Sequence, residues 1–222
     1  MHNKKLNGEE WAEINNLKSK RYFYDFVKRL FDFISSLIAI IILSPLFLII
    51  GIIIKLDSKG TIFFSHNRLG RDGYVMKIYK FRTMVSDAEE LLKQLPSEQK
   101  EEFERNFKLE NDFRITNTGR FLRKSSLDEL PQLFNILIGN MSVVGPRPIV
   151  EKELVKYGAY GDKLLSVKPG LTGNWQANGR SSTTYEERVN LDMDYIDHRS
   201  ITLDLKIIFK TVAVVFKRQG AF

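Results

Sequence analysis

The sequence predicts an α+β, helix-rich fold. It comprises a membrane helix-break-helix, re-entrant or a kinked span, and a small cytoplasmic domain with a short β-hairpin and interfacial amphipathic helices. Three observations predict this. Residues 33–54 carry no charge, two short apolar runs flank a glycine-bearing turn at 68–73, and the later segments place apolar residues at helical spacing. The expected divisions are a polar leader at 1–20, a re-entrant membrane helix with interfacial entry at 21–58, and a folded cytoplasmic domain at 59–222.

Composition narrows the chemistry. The 222 residues are 43% hydrophobic and 27% charged, which suits a folded chain of one ordinary domain plus an appendage. There is no cysteine, so disulfides, thiolate metal sites and cysteine nucleophiles are excluded. His2, His66 and His198 lie far apart and show no metal-ligand spacing. The net charge of +7 asks for anionic partners, whether nucleic acid, anionic lipid or a phosphorylated substrate.

The membrane element has three parts. Residues 21–32, RYFYDFVKRLFD, mix aromatic rings with cations, as suits a membrane–water interface. The uncharged run of 22 residues that follows would cover roughly 30 Å as a helix, enough to span a bilayer. No small-residue cleavage site follows it, so it is not read as a signal peptide. Two features then oppose a simple span. Ser44 and Pro45 interrupt the run near its middle, and cations flank both ends, Lys18 to Arg29 before and Lys55 to Arg82 after. A helix that enters, bends at Ser44-Pro45 and leaves by the same face satisfies both flanks; a kinked span is the alternative.

Beyond the membrane element, residues 61–64 and 74–79 read as short strands around the 68–73 turn. KIYKFRTM at 77–84 alternates cations with apolar residues. It is either an edge strand with a solvated basic face or a phosphate-binding surface that uses Lys80 and Arg82. Residues 86–112 read as one or two solvated surface helices.

The chemistry concentrates in SSLDELPQLFNILIGNMSVVGPRP, residues 125–148. Ser126 and Glu129 have capping-box spacing, and Leu130, Leu133, Phe134 and Leu137 form one helix face, which would put Asp128 and Glu129 in the first helical turn. Acids there are ordinary helix chemistry, because the dipole favours them. Their setting is less ordinary. Arg120, Arg123 and Lys124 precede them, and Arg147 is held between Pro146 and Pro148, which restrict its backbone from both sides. A guanidinium so presented suits phosphate oxygens, and adjacent carboxylates can divide the roles of nucleophile and Mg²⁺ ligand. No P-loop, dinucleotide fingerprint or kinase signature is present.

Several motifs in order resemble the bacterial sugar transferase family, the small monotopic phosphoglycosyl transferases that act on polyprenyl phosphate. They are KRLFD at 28–32, the Ser44-Pro45 break, KFRTM at 80–84, Arg123, SLDELPQLFN at 126–135, MSVVGPRP at 141–148 and KPGLTGNWQANGR at 168–180. The resemblance implies transfer of a sugar-1-phosphate from a UDP-sugar to undecaprenyl phosphate, with release of UMP. This would be the first membrane step of exopolysaccharide, capsule, O-antigen or glycoprotein glycan synthesis. It implies Asp128 as nucleophile, Glu129 as the Mg²⁺ ligand, Arg123 and Arg147 on phosphates, and Pro146 and Pro148 shaping the nucleotide contact. It also favours the re-entrant course over the kinked span, at the cytoplasmic face of the bacterial cytoplasmic membrane.

Two later segments stay open on their residues alone. Residues 168–180 suit either a turn region or nucleotide and sugar contacts, and 203–218 suit either an interfacial helix or one packed on the core. A nucleic-acid partner is set aside because no recognition motif accompanies the charge. A non-catalytic membrane-anchored scaffold is the alternative function, and a homo-oligomer is left open.

Overall fold

The computed structural model describes residues 8–96, 99, 103, 109, 112–178 and 183–216. Helix α1 runs Gly8–Asp57, so most of the expected polar leader is helical backbone continuous with the membrane segment, and residues 1–7 lie outside the described residues. The helix also continues across Ser44 and Pro45, where a break between two helices was expected. Proline has no N–H for the Ile41 carbonyl, and the Ser44 hydroxyl donates to that oxygen instead, at 2.8 Å.

Over residues 33–54 helix α1 is apolar nearly all round, and its two faces meet different surroundings. Ile40, Leu43, Phe47, Ile50 and Ile54 recur at three- and four-residue steps and pack on the folded domain. Ile38, Ile41, Ile42, Leu48, Ile49 and Ile52 stay exposed. Only 17% of its most apolar stretch is buried inside the protein, as expected of a lipid-facing helix and not of a core helix.

Polar contacts fasten α1 near both ends of the apolar run. Asp204 accepts from Lys28 Nζ at 2.7 Å, from the Tyr24 hydroxyl at 2.9 Å and from the Tyr195 hydroxyl at 2.8 Å. Buried Asp32 accepts from Ser142 Oγ and the Val143 N–H at 3.1 and 2.9 Å. At the other end the buried Arg82 guanidinium donates to Ser58 O at 2.8 Å and also to Lys59 O. It thereby holds the two carbonyls that directly follow the last residue of α1.

Strands β1 (Phe63–Leu69) and β2 (Val75–Phe81) form an antiparallel hairpin, with Phe64 opposite Lys80 and Arg68 opposite Met76. The first strand therefore runs through Arg68, where the sequence suggested the turn. A short helix, α2, spans Ala88–Lys93. Helix α3 (Asn117–Ser125) starts at Thr116, whose hydroxyl accepts from the Gly119 N–H at 3.0 Å. After a 3₁₀ turn at Leu127–Glu129 comes α4 (Gln132–Ile138), closed by Gly139 at φ +95°.

A short parallel pair, β3 (Ser142–Val144) and β4 (Gly170–Thr172), lies beside the Gly-Pro-Arg-Pro segment. The backbones approach so closely that a Cβ on Gly170 would stand 2.1 Å from Gly145 N, so glycine is required there. A 3₁₀ stretch at Glu151–Tyr160, α5 (Gly161–Leu165) and α6 (Asn174–Asn178) lead to α7 (Tyr185–His198). Thr184 and Glu187 form a complete capping box at the start of α7. Residues 168–180 are thus partly structured as β4 and α6, and 179–182 lie outside the described residues.

Helix α8 spans Ile201–Phe216. Of the two readings of 203–218, packing on the core describes one face: Ile207 is buried there with Val144, Val189 and Ile196. Leu205, Phe209 and Val212 form an exposed apolar stripe on the other. Residues 217 and 218 lie outside the described residues.

One buried carboxyl sets a pH-dependent weakness. Asp192 is wholly buried in α7, its Oδ2 accepts from the Tyr157 hydroxyl at 2.9 Å, and its Oδ1 has no partner. Burial pushes its pKa up to about 7, against smaller lowering effects of Tyr157 and Arg188. The unfolded carboxyl titrates near 4. Between those values the folded state holds a proton that the unfolded state has lost, so stability falls as pH rises through that window. Asp192→Asn should remove this slope. Its stability relative to the wild type should rise from pH 5 to pH 8 by on the order of 2–4 kcal/mol, read from thermal or denaturant unfolding at each pH.

Candidate active site

The adjacent acids do not sit where a capping box would put them. Ser126 is left-handed at φ +57°, makes no side-chain cap, and its N–H closes the end of α3 onto Arg123 O and Leu122 O. A side-chain N-cap needs an extended backbone, and the left-handed Ser126 does not aim its hydroxyl at the N–H groups of the next turn. Asp128 and Glu129 therefore occupy a 3₁₀ turn, and α4 begins only after Pro131. The expectation that both acids sit in the first turn of a side-chain-capped α-helix is corrected accordingly.

The surroundings of Asp128 come from three elements. Its side chain is 11% exposed, with Lys80 Nζ 3.8 Å from Oδ2. Lys80 also donates to Glu129 Oε1 at 2.6 Å, so one ammonium from β2 spans the pair. Burial pushes the Asp128 pKa up to about 6; Lys80 pulls it down, Glu129 pushes it up and Arg123 again pulls it down. Arg123, from α3, is fixed by a 2.9 Å bond from Nε to Thr83 Oγ1. Burial lowers its pKa while Asp128 and Asp112 raise it, and it stays a cation.

Asn135 sets the distance between β2 and the acids. It is fully buried in α4; its Oδ1 accepts from the Tyr79 N–H at 2.9 Å and its Nδ2 donates to Lys77 O at 2.7 Å. The side chain thereby pairs with the strand much as a neighbouring strand would, one and three residues before Lys80.

Arg147 lies on a second part of the site. It is exposed between buried Pro146 and Pro148, with its guanidinium 6.0 Å from the centre of the Trp175 ring. Arg188 covers the same ring at 4.6 Å. Trp175 belongs to the glycine-rich stretch 168–180, so that stretch supports the proline-fixed arginine. The Leu69 N–H donates to Ile149 O at 2.9 Å and seats the end of β1 against this loop.

The structure thus brings Lys80, Arg123, Asp128 and Glu129 together, and places Arg147 on a loop tied to the same hairpin. Arg82, expected on substrate, instead turns into the protein and holds the end of α1. Ser44 and Pro45 are exposed on α1, away from this cluster. Sequence reading passed over Arg68, because the turn was expected to begin there. In β1 it alternates onto the face that carries Lys80.

Mg²⁺ is compatible with these donors. It keeps several waters and needs one or two protein carboxylates beside phosphate oxygens. Among the described residues no cluster of three or more metal-binding side chains occurs. Glu129, 35% exposed beside buried Asp128, offers the smaller donor set such an ion takes.

The model of one protein family, bacterial sugar transferase, matches residues 23–218. The chain belongs to the bacterial sugar transferase family. Over 200 residues it is 46% identical to an undecaprenyl-phosphate galactose phosphotransferase of Salmonella typhimurium, covering 89% of this chain and 42% of that one. It is 43% identical over 198 residues to the exopolysaccharide production protein ExoY of Rhizobium meliloti, covering 88% of each. A UDP-glucose:undecaprenyl-phosphate glucose-1-phosphate transferase of Klebsiella pneumoniae is 41% identical over 204 residues, with 88% and 41% covered. The chain therefore spans about two-fifths of the length of the Salmonella and Klebsiella relatives and most of ExoY.

The bond pattern around Asn135 makes a specific prediction for this family member. Asn135→Ala strands a buried donor and acceptor of β2, so thermal or denaturant unfolding should show a loss of about 2–4 kcal/mol.

Proposed function

We propose that this sugar transferase moves a sugar-1-phosphate from a UDP-sugar to undecaprenyl phosphate through an aspartyl intermediate on Asp128. The observation that carries this reading is a buried carboxylate between two cations, Lys80 and Arg123, in a membrane-anchored member of this family. The names of the Salmonella and Klebsiella relatives support the substrate classes.

The chemistry balances in two displacements. The Asp128 carboxylate attacks the β-phosphorus, the bond from that phosphorus to the UMP oxygen breaks, and UMP leaves with the electron pair. An oxygen of undecaprenyl phosphate then attacks the same phosphorus, and the bond to Asp128 breaks to restore the carboxylate. Lys80 and Arg123 keep Asp128 anionic despite burial, and burial strips it of the water that would blunt a nucleophile. Glu129 would hold Mg²⁺, which neutralises diphosphate charge when bound. Arg147, backed by Trp175 and set by its prolines, offers a fork of donors to phosphate oxygens. Arg82 has a structural role in this scheme.

The membrane course belongs to the same proposal. Tyr24, Lys28, Arg29 and Asp32 fasten one end of the apolar run of α1 to the folded domain; Asp57 and residues 58–59 fasten the other. Both flanks rest on one body, which supports a re-entrant course on the cytoplasmic face with Ser44-Pro45 at its deepest point, although α1 stays helical there. A spanning course would instead place the folded domain that touches both flanks inside a bilayer core of about 30 Å.

Two experiments test this. With labelled UDP-sugar, Mg²⁺ and undecaprenyl phosphate, the wild type should release UMP and carry label on protein. Asp128→Asn should lose both, slowing lipid-linked product by a factor on the order of 10³ or more. Product at the wild-type rate from that variant would remove Asp128 as nucleophile. Because the chain has no native cysteine, single cysteines introduced beside Arg21 and Lys59 report topology cleanly. Both should label from the cytoplasmic side only, and labelling from opposite sides would rule out re-entry.

A further inference from the structure

Arg68 is a partly buried cation that the proposed reaction leaves without a role. Its side chain is 17% exposed and its Nη1 meets Glu153 Oε1 at 3.4 Å, a long contact for a charged pair. Its Nε is buried with no partner. Leaving a guanidinium donor unmet in a buried place is costly, and such an exception asks for an explanation.

The neighbours supply one. The bond from the Leu69 N–H to Ile149 O joins the strand end carrying Arg68 to the loop carrying Arg147. The two guanidinium charges are close enough to repel. Burial is the main cause that lowers the Arg68 pKa, Arg147 the next, while Glu153 and Glu129 act in the opposite direction. Two cations forced together beside Glu129 are unfavourable until an anion lies between them. Strand alternation also puts Arg68 on the hairpin face of Lys80, which bonds Glu129. Arg68 therefore links the Asp128–Glu129 turn to the proline-fixed loop.

We infer that Arg68 and Arg147 together grip the β-phosphate of the nucleotide diphosphate, Arg68 from the hairpin and Arg147 from the loop. Glu153 holds Arg68 in place until the phosphate arrives. The inference rests on the nucleotide-sugar reading above and adds a phosphate contact to it.

The test compares UDP with UMP as ligands of the purified protein, by titration calorimetry, for wild type, Arg68→Met and Arg68→Lys. A grip on the β-phosphate predicts that Arg68→Met loses UDP affinity about 10-fold and keeps UMP affinity within about 2-fold. Arg68→Lys should fall between, because an ammonium supplies charge without the fork. Unchanged UDP binding by Arg68→Met overturns the inference. So does an equal loss of UDP and UMP with a lowered thermal midpoint, which marks a structural arginine. So does a rise in KM for the lipid phosphate alone, which would assign the anion to the acceptor. Wild-type protein that binds neither nucleotide overturns the nucleotide-sugar reading itself, and the Arg68 inference with it.

Discussion

The seam between α1 and the folded domain is the contact on which the remaining structure depends. An all-apolar helix in water would aggregate, and one free in lipid would not orient a catalytic domain. Here the inner row from Ile40 to Ile54 meets the domain core, while buried polar bonds lock the direction and depth of the helix. The Lys28–Asp204 pair is largely desolvated, a cost that an ion pair alone often fails to recover. Two tyrosine hydroxyls add donors to the same carboxylate and complete its hydrogen bonding. Arg29 donates to Ile136 O and Leu137 O, carbonyls at the end of α4, so the helix that follows the acidic turn is capped by the membrane element itself.

From that seam, connections run to every part of the site. Asp32 holds β3, β3 leads into Gly145 and the proline-fixed Arg147, and β4 packs against Gly145. Arg82 ties the far end of α1 to the residue after β2, two positions beyond Lys80. Asn135 ties β2 to α4. Lys80, the acidic pair and Arg147 are thus placed by elements that each touch α1 or its immediate neighbours. In the proposed reaction this arrangement keeps water-borne nucleotide and membrane-borne acceptor at one depth.

Much of this was legible in the residues because the signals are local. The uncharged 33–54 run, the hairpin around a glycine turn, and the proline-flanked Arg147 follow from neighbours within a few positions. The paired acids were found as a pair, but their local structure was misread. Ser126 satisfies the capping-box spacing, yet α3 runs up to Ser125 and claims the serine as its own C-cap. The extent of β1 was also missed, since Arg68 and Gly70 look like turn residues until the pairing of Leu69 with Val75 is seen. Arg82 shows the same limit. In KFRTM it is one more cation, and only the position of the α1 C-terminus explains why it is buried.

The sequence by itself determined a membrane-embedded, helix-rich chain with two adjacent acids, a proline-held arginine and membership of a recognisable family. Those features rest on composition, spacing and chain stiffness, which need no distant contact. Tertiary structure alone decided which cations serve the acids. Lys80 stands 49 residues from Glu129 in sequence and 2.6 Å from it in space. It also decided the electrostatic state of Asp128, because a carboxyl's pKa depends on how much water and which charges surround it. No local pattern encodes a burial made by strands and helices from across the chain.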